Sequence, residues 1–313
     1  FYKALKKDSA NFKYHLNNIL TTWKKIDIYF NKIKNVLLEV FIDYITDNIN
    51  KETTLKKIRN SFYKTKKSFF LIFNSKFLVD SKALFKEIIK RTSAKIIKMK
   101  KKIDKKEYDK QKLLNNIYTG FKGGFYYYLR ELYNSYNLNK IKLNKNHYLS
   151  IYYFVREFCY GSMFRFNSNN EFNVPYGGNS YNNKNFEKKL KRVYSTKNML
   201  KNVDFYNLDF EVFIDKLNLT KKDFIFLDPP YHSKFSTYGQ NSFDKSDHKR
   251  LKITMQQTKA NSLMVIKNTD YIYDLYKKDF NITSFNKIYS ANIKNRNNRQ
   301  VKHLVITNYD LNK

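Results

Sequence analysis

The sequence predicts an α/β fold joined to a large helical region, and three observations predict it. Residues 1 to about 115 hold neither proline nor glycine, and their apolar residues recur at three- and four-residue steps. From about residue 203 onward, short apolar runs alternate with helical stretches, the pattern of a sheet with crossover helices. The few glycines and prolines gather in three places, which marks those places as turns or loops with a purpose.

In the first region Ile26, Tyr29, Phe30, Ile33 and Leu37 fall on one stripe of a helix. Lysines thicken its later part, among them Lys64, Lys66, Lys67, Lys90 and the run from Lys98 to Lys106; solvated helix faces account for them. The three punctuated places are GFKGG (120–124), YGSMFRFNSNNEFNVPYGG (160–178) and DPPY (228–231). Phe224–Leu227 (FIFL) reads as a buried-type strand, and Leu263–Ile266 and Val301–Asn308 as further strands. Helices are expected at 244–259 and 270–278. The domain reading is a basic helical region over 1–115, a segment bearing the second motif over 116–200, and an α/β part over 201–313.

Composition narrows the function classes. Hydrophobic residues make up 42% and aromatics 18%, enough to build a core. The net charge of +34 fits a polyanionic partner whose counterions are released on binding, and it fits equally a coding bias toward Lys, Asn and Ile. The single Cys159 excludes a disulfide framework and a cysteine zinc site, no metal is expected, and a reducing cytoplasm suits it. No apolar run reaches membrane-spanning length, and the opening FYKALKK lacks a signal peptide's apolar segment.

The chemistry concentrates at Asp228-Pro229-Pro230-Tyr231. Open α/β sheets bind ligands at the carboxyl ends of their strands, and this loop follows directly on FIFL. An amino group conjugated with a flat ring reacts only when its lone pair is turned toward the electrophile. The Asp228 carboxylate and the Pro229 carbonyl can accept its two N–H bonds and do this, the prolines stiffen the loop, and Tyr231 offers a face on which the ring stacks. A base within a duplex must first be flipped out, and stacking worth about 1–3 kcal/mol per base is comparable to what flipping costs. The plain alternative is a strand-ending turn, since Asp and Pro are ordinary turn residues.

At this point the sequence resembles the Dam-like family of DNA adenine N6-methyltransferases, from Tyr126 to Tyr309. YYYLRELYN (126–134) is similar to the family's helix ahead of a recognition hairpin, FRFNSNNEFNVPYGG (164–178) to the hairpin itself, FSTYGQNSF (235–243) to the segment after the catalytic loop, and NRQVKHLVITNY (298–309) to the closing strand. The resemblance implies a Rossmann-like sheet binding S-adenosylmethionine and a helical DNA-recognition domain acting on double-stranded DNA. Asp228, Pro229, Pro230 and Tyr231 would be catalytic; Asp209 and Phe210, with Asp228, would bind the cofactor. Arg165 matches an arginine that reads guanine, with a phosphate contact or a plain surface charge as the alternative, and Tyr160, Met163, Asn167, Pro175 and Arg299 would also lie at the DNA. A monomer in the cytoplasm, accompanied by a restriction endonuclease, completes the expectation.

The resemblance has three departures. His303 stands where the family has an acidic residue. Residues 8–115 are far longer than the family's linker. The glycine turn FxGxG and the DIN motif are not found, and GFKGG follows a polar stretch rather than a strand. The simplest account is that about the first third of the catalytic domain lies upstream of Phe1. An inactive DNA-binding fragment is therefore the alternative function, and a methyltransferase of another planar amine the third; Asp rather than Asn before PPY speaks against the last.

Overall fold

A computed structural model describes residues 1–7, 9–74, 77–103, 107–232, 243–288 and 300–311. The chain forms two compact units, Phe1–Asp204 and Phe205–Lys313.

The first unit is helical: α1 (Tyr2–Lys7), α2 (Ala10–Ile45), α3 (Lys51–Lys64), α4 (Lys66–Ile72), α5 (Ser81–Met99), α6 (Lys110–Asn137), α7 (Lys145–Phe158) and α8 (Phe186–Ser195). Ser9, Asn50, Asp80, Asp109, Asn144 and Asn185 cap α2, α3, α5, α6, α7 and α8, each accepting a bond from a backbone N–H of the first turn. The expected stripe on α2 buries Ile26, Tyr29, Ile33 and Leu37, with Phe30 half-buried beside them. The expected division at residue 115 falls inside α6, which packs on α2, α5 and α7.

GFKGG lies in the middle of α6 and sets its distance from α5. A Cβ added at Gly120 would stand 2.5 Å from the Cα of Thr92, and one at Gly124 2.6 Å from the Cα of Ile88. The two backbones touch, which is why glycine occupies a helix interior where it costs about 1 kcal/mol in propensity. Lys122, between them, is buried against α2. Its Nζ lies 2.6 Å from the Asp27 carboxylate, donates to the Trp23 carbonyl at 3.0 Å and sits 3.9 Å from the Trp23 ring centre. Tyr118 donates to the same Asp27 oxygen at 2.5 Å. Desolvation pulls the Lys122 ammonium down to about 8 even so.

The second unit holds α9 (Phe210–Lys216), β1 (Phe224–Leu227), α10 (Lys245–Gln257), β2 (Asn261–Lys267), α11 (Asp270–Tyr276), β3 (Asn281–Ile288) and β4 (Gln300–Thr307). The sheet order is β1-β2-β4-β3; β1 runs parallel to β2 after the α10 crossover, and β4 is antiparallel to both its neighbours. Leu251 and Met255 of α10, Ile272 and Tyr276 of α11, Met264 and Ile266 of β2, and Leu304 and Ile306 of β4 make the core.

Two expectations change here. FIFL is a strand, but not a buried one: Phe224 and Phe226 are 58% and 61% exposed, with Ile225 and Leu227 half-buried. An apolar run specifies extended backbone without specifying what covers it, and among the described residues β1 pairs on one side only. Strand β3 was not foreseen. Its apolar residues Ile282, Phe285 and Ile288 recur at three-residue steps, a helical period, and pairing with β4 from Asn281↔Thr307 to Ile288↔Gln300 makes it a strand. Among the described residues no helix is long and apolar enough to cross a membrane.

Both units bury histidines in the neutral form. His15 and His147 stack with ring centres 4.8 Å apart, and the ring of Phe77 lies 4.4 Å from His147. His15 Nδ1 and His147 Nε2, like both ring nitrogens of His248 on α10, have no hydrogen-bond partner among the described residues. Desolvation lowers His147 to about 4 and His248 to about 4. An unfolded histidine takes its proton near 6.5, so between that value and about 4 the unfolded chain binds more protons. Stability is therefore complete above about pH 6.5 and falls as pH drops through this window, each histidine contributing at most about 3 kcal/mol. Urea unfolding followed by the fluorescence of Trp23, the sole tryptophan, is expected to show a smaller loss between pH 7 and 4.5 in His147→Phe than in the natural chain. Equal losses would show that His147 is not the titrating group.

Candidate functional site

In the second unit the DPPY loop leaves the carboxyl end of β1, beside β2 through the pair Leu227↔Met264. Asp228 and Pro230 are exposed, and Pro229 and Tyr231 half-buried. The Tyr231 ring meets His303 of β4 edge-on, with centres 5.5 Å apart at 68°. His303 is buried and stacks on Phe285 of β3 at 5.5 Å and 26°. His303 is thus the wall behind Tyr231. His232, the next residue, faces Tyr271 at 4.8 Å, and burial beside Lys245 lowers its pKa. Of 235–243, only Phe243 is among the described residues.

Asp209 is the N-cap of α9, and its Oδ1 accepts from the Glu211 amide at 3.0 Å and from Nη2 of Arg250 at 2.8 Å. Arg250 also donates to Glu211 Oε2 through Nε at 3.0 Å and Nη2 at 2.6 Å, and to Asp247 Oδ1 through Nη1 at 2.9 Å. Its guanidinium lies 4.9 Å from the Phe210 ring. No residue of α9 is fully buried, so this one side chain on α10 does much to fix where Asp209 and Phe210 stand. Ring contacts then run from Phe210 to Phe243 (5.9 Å), from Phe243 to His248 (4.8 Å) and from His248 to His232 (6.1 Å). Asp209-Phe210 and DPPY, nearly twenty residues apart in sequence, so border one apolar cluster, against which Phe210 and Tyr231 both pack. Arg250 was not foreseen. Its i,i+3 spacing from Asp247 was visible, but nothing local tied it to Asp209.

In the first unit residues 159–176 form a hairpin, pinned by bridges Cys159↔Tyr176 and Phe166↔Phe172. Asn167 closes its turn: Oδ1 accepts from the amides of Asn169 and Glu171 at 3.0 and 2.9 Å, and Nδ2 donates to Glu171 Oε2 at 3.0 Å. Asn170 takes φ 59°, which asparagine tolerates better than most residues. Arg165 is exposed, with Nε donating to Asn173 Oδ1 at 3.1 Å. Tyr160 and Pro175 are exposed and joined by Tyr160 N–H to Pro175 O at 2.8 Å, while Met163 is half-buried against the core. Arg299 lies outside the described residues.

The hairpin is held by α6. Tyr126 Oη and Arg130 Nη1 both donate to the Val174 carbonyl, at 2.8 and 3.1 Å, and Asn134 exchanges two bonds with the backbone of Phe172, at 3.1 and 2.8 Å. Sequence reasoning marked the helix but not these three residues; their four-residue spacing in YYYLRELYN was the signal. Among the described residues no cluster of three or more metal-ligating side chains occurs.

Comparison with known proteins bears on both halves. Residues 95–291 match the family described as D12 class N6 adenine-specific DNA methyltransferase. The chain is 37% identical over 164 residues to the type II methyltransferase M.CviBI of Paramecium bursaria Chlorella virus NC1A, covering 51% of this chain and 60% of that protein. It is 31% identical over 179 residues to the type II methyltransferase M.MjaIII of Methanocaldococcus jannaschii, covering 54% of this chain and 55% of that one. With M1.LlaDCHI of Lactococcus lactis subsp. cremoris, a third type II methyltransferase, it shares 29% over 161 residues. The chain thus spans little more than half the length of the curated relatives it matches.

Proposed function

Since the chain belongs to the D12 class of N6 adenine-specific DNA methyltransferases, we propose that it carries the base-reacting and DNA-reading parts of an enzyme that methylates adenine N6 in double-stranded DNA. The observation that supports this best is the DPPY loop at the carboxyl end of β1, bordering the apolar cluster against which Phe210, next to Asp209, also packs. A flipped adenine would stack on Tyr231, whose ring is backed by His303. Its amine would donate one N–H to the Asp228 carboxylate and the other to the Pro229 carbonyl, turning the nitrogen lone pair out of the ring plane. As the nitrogen takes the methyl group and the donor's own bond to that carbon breaks, the adjacent Asp228 carboxylate would stabilise the positive charge on the nitrogen, and the surplus proton would then pass to water.

The family implies a methyl donor, and S-adenosylmethionine suits the residues present. The two bonds to Asp209 fall on Oδ1, so Oδ2 remains to accept an exocyclic amine, with the Phe210 ring beside it. When bound, this donor supplies an electrophilic sulfonium methyl. The described glycines lie in α6 or in 161–178, within the first unit. The Rossmann-like character of the sheet, the recognition role of the hairpin, a monomeric cytoplasmic state and a companion restriction endonuclease belong to the same proposal; the type II names of the relatives support the last.

The direct test is transfer of label from methyl-tritiated S-adenosylmethionine to adenine N6 in duplex DNA; binding of duplex without transfer would favour the non-catalytic reading. A second test concerns Arg165. Its exposed guanidinium has two terminal nitrogens beyond the Asn173 bond, and a bidentate contact with guanine discriminates by about 1–3 kcal/mol. Arg165→Ala is therefore expected to relax methylation specificity at one guanine position by about 5- to 150-fold. A uniform loss over all sequences would make Arg165 a phosphate contact instead.

A further inference from the structure

Helices α3 and α5 enclose an open groove of about 690 Å³ on the first unit. Its α5 wall is formed by positions 86, 89, 90, 93, 94, 97 and 98, one continuous stripe, and its α3 wall by 51, 55, 59 and 63, spaced by four. Along either wall the stripe extends for about 18 Å at 1.5 Å per residue. The floor is apolar: Leu55, Ile89 and Ile97, with Ala94 at a point where a neighbour can come close. The rim is cationic and, among the lining residues, contains no carboxylate: Lys51, Arg59, Lys86, Lys90 and Lys98. Lys90 lies 3.8 Å from Glu87, whereas the other four make no ion pair among the described residues. Most of the groove precedes residue 95, where the match to the methyltransferase family begins.

We propose that this groove docks an amphipathic helix of a partner protein, with acidic residues flanking its apolar stripe. An exposed apolar floor rewards apolar side chains, which a phosphate backbone does not present. The floor has the length of about three helical turns, and the unpaired rim cations complement carboxylates on both sides of an apolar stripe. Base stacking is disfavoured because Tyr63, the aromatic residue of the groove, already carries the Lys66 ammonium at 5.6 Å over its ring and the Phe85 ring at 5.7 Å.

The test uses the chain and a fluorescent 18-residue peptide with leucines at i, i+4, i+7 and i+11, flanked by glutamates. Its control is a scrambled peptide of the same composition. The striped peptide is expected to bind at least tenfold more tightly than the scrambled one. Ala94→Trp, which fills the floor at an exposed position without changing charge, and the pair Lys86→Glu with Lys90→Glu, are each expected to remove that preference while leaving thermal unfolding unchanged. Equal binding of the two peptides, or an undiminished preference in Ala94→Trp, overturns the proposal. So does a loss in these variants of oligothymidylate or duplex binding with the peptide preference intact, which would assign the groove to nucleic acid.

Discussion

If the chain carries the proposed methyltransferase chemistry, replacing Asp228 by alanine in a methylating form of the protein is expected to abolish N6-methyladenine formation, with a loss of at least about 10²–10³-fold in kcat, while duplex binding persists. Asp228 follows β1 as an exposed residue, so its removal leaves no hole in the sheet core, and the second unit should unfold as before. On the proposed mechanism the variant would lose an acceptor aimed at an amine that must rehybridise, and such preorganised groups act mainly in the transition state. Asp228→Asn keeps one oxygen acceptor but no charge, and should fall between the two. Tritium transfer and a filter-binding assay on the same preparations separate chemistry from binding. Near-normal methylation by Asp228→Ala would remove DPPY from the mechanism.

A large loss of stability is expected at Gly124, and the sign reverses one residue away. A Cβ at position 124 would lie 2.6 Å from the Cα of Ile88 and 2.7 Å from its Cγ1, so Gly124→Val must drive α5 from α6. Overpacking costs about 1–3 kcal/mol and occasionally more, and the branched side chain against backbone puts this substitution at or above the upper end. At Gly123 the nearest atom to an added Cβ is the Cδ1 of Tyr176 at 3.6 Å, an ordinary contact. Gly123→Ala should therefore gain the helix propensity that glycine lacks, about 0.5–1 kcal/mol. Urea unfolding read by Trp23 fluorescence measures both. Equal shifts in the two variants would show that these glycines do not set the helix spacing.

Some of this was visible in local pattern. The stripe from Ile26 to Leu37 and the strand–loop transition at Leu227-Asp228 depend on residues within a few positions of each other, and they formed where the pattern put them. Helices expected at 244–259 and 270–278 are found at Lys245–Gln257 and Asp270–Tyr276, the first opened by a capping box of Asp244 and Asp247. The candidate site was legible in the same way: DPPY and the hairpin stood out because glycine and proline are scarce elsewhere in the chain.

Local spacing and residue type by themselves determined that the first region is helical, that β1, β2 and β4 are extended and where the DPPY loop lies, because backbone preference and side-chain periodicity act over a turn or two. Only the tertiary structure decided that GFKGG is a helix contact rather than a turn, that Phe224 and Phe226 stay exposed, and that His303 backs Tyr231. It also decided that Arg250 holds Asp209 from forty-one residues away. Each of these rests on a partner distant in sequence. The strength of a glycine contact, a ring stack or an ion pair is set by what that partner puts against it, and a periodic pattern records the face a residue occupies, not the neighbour it will meet.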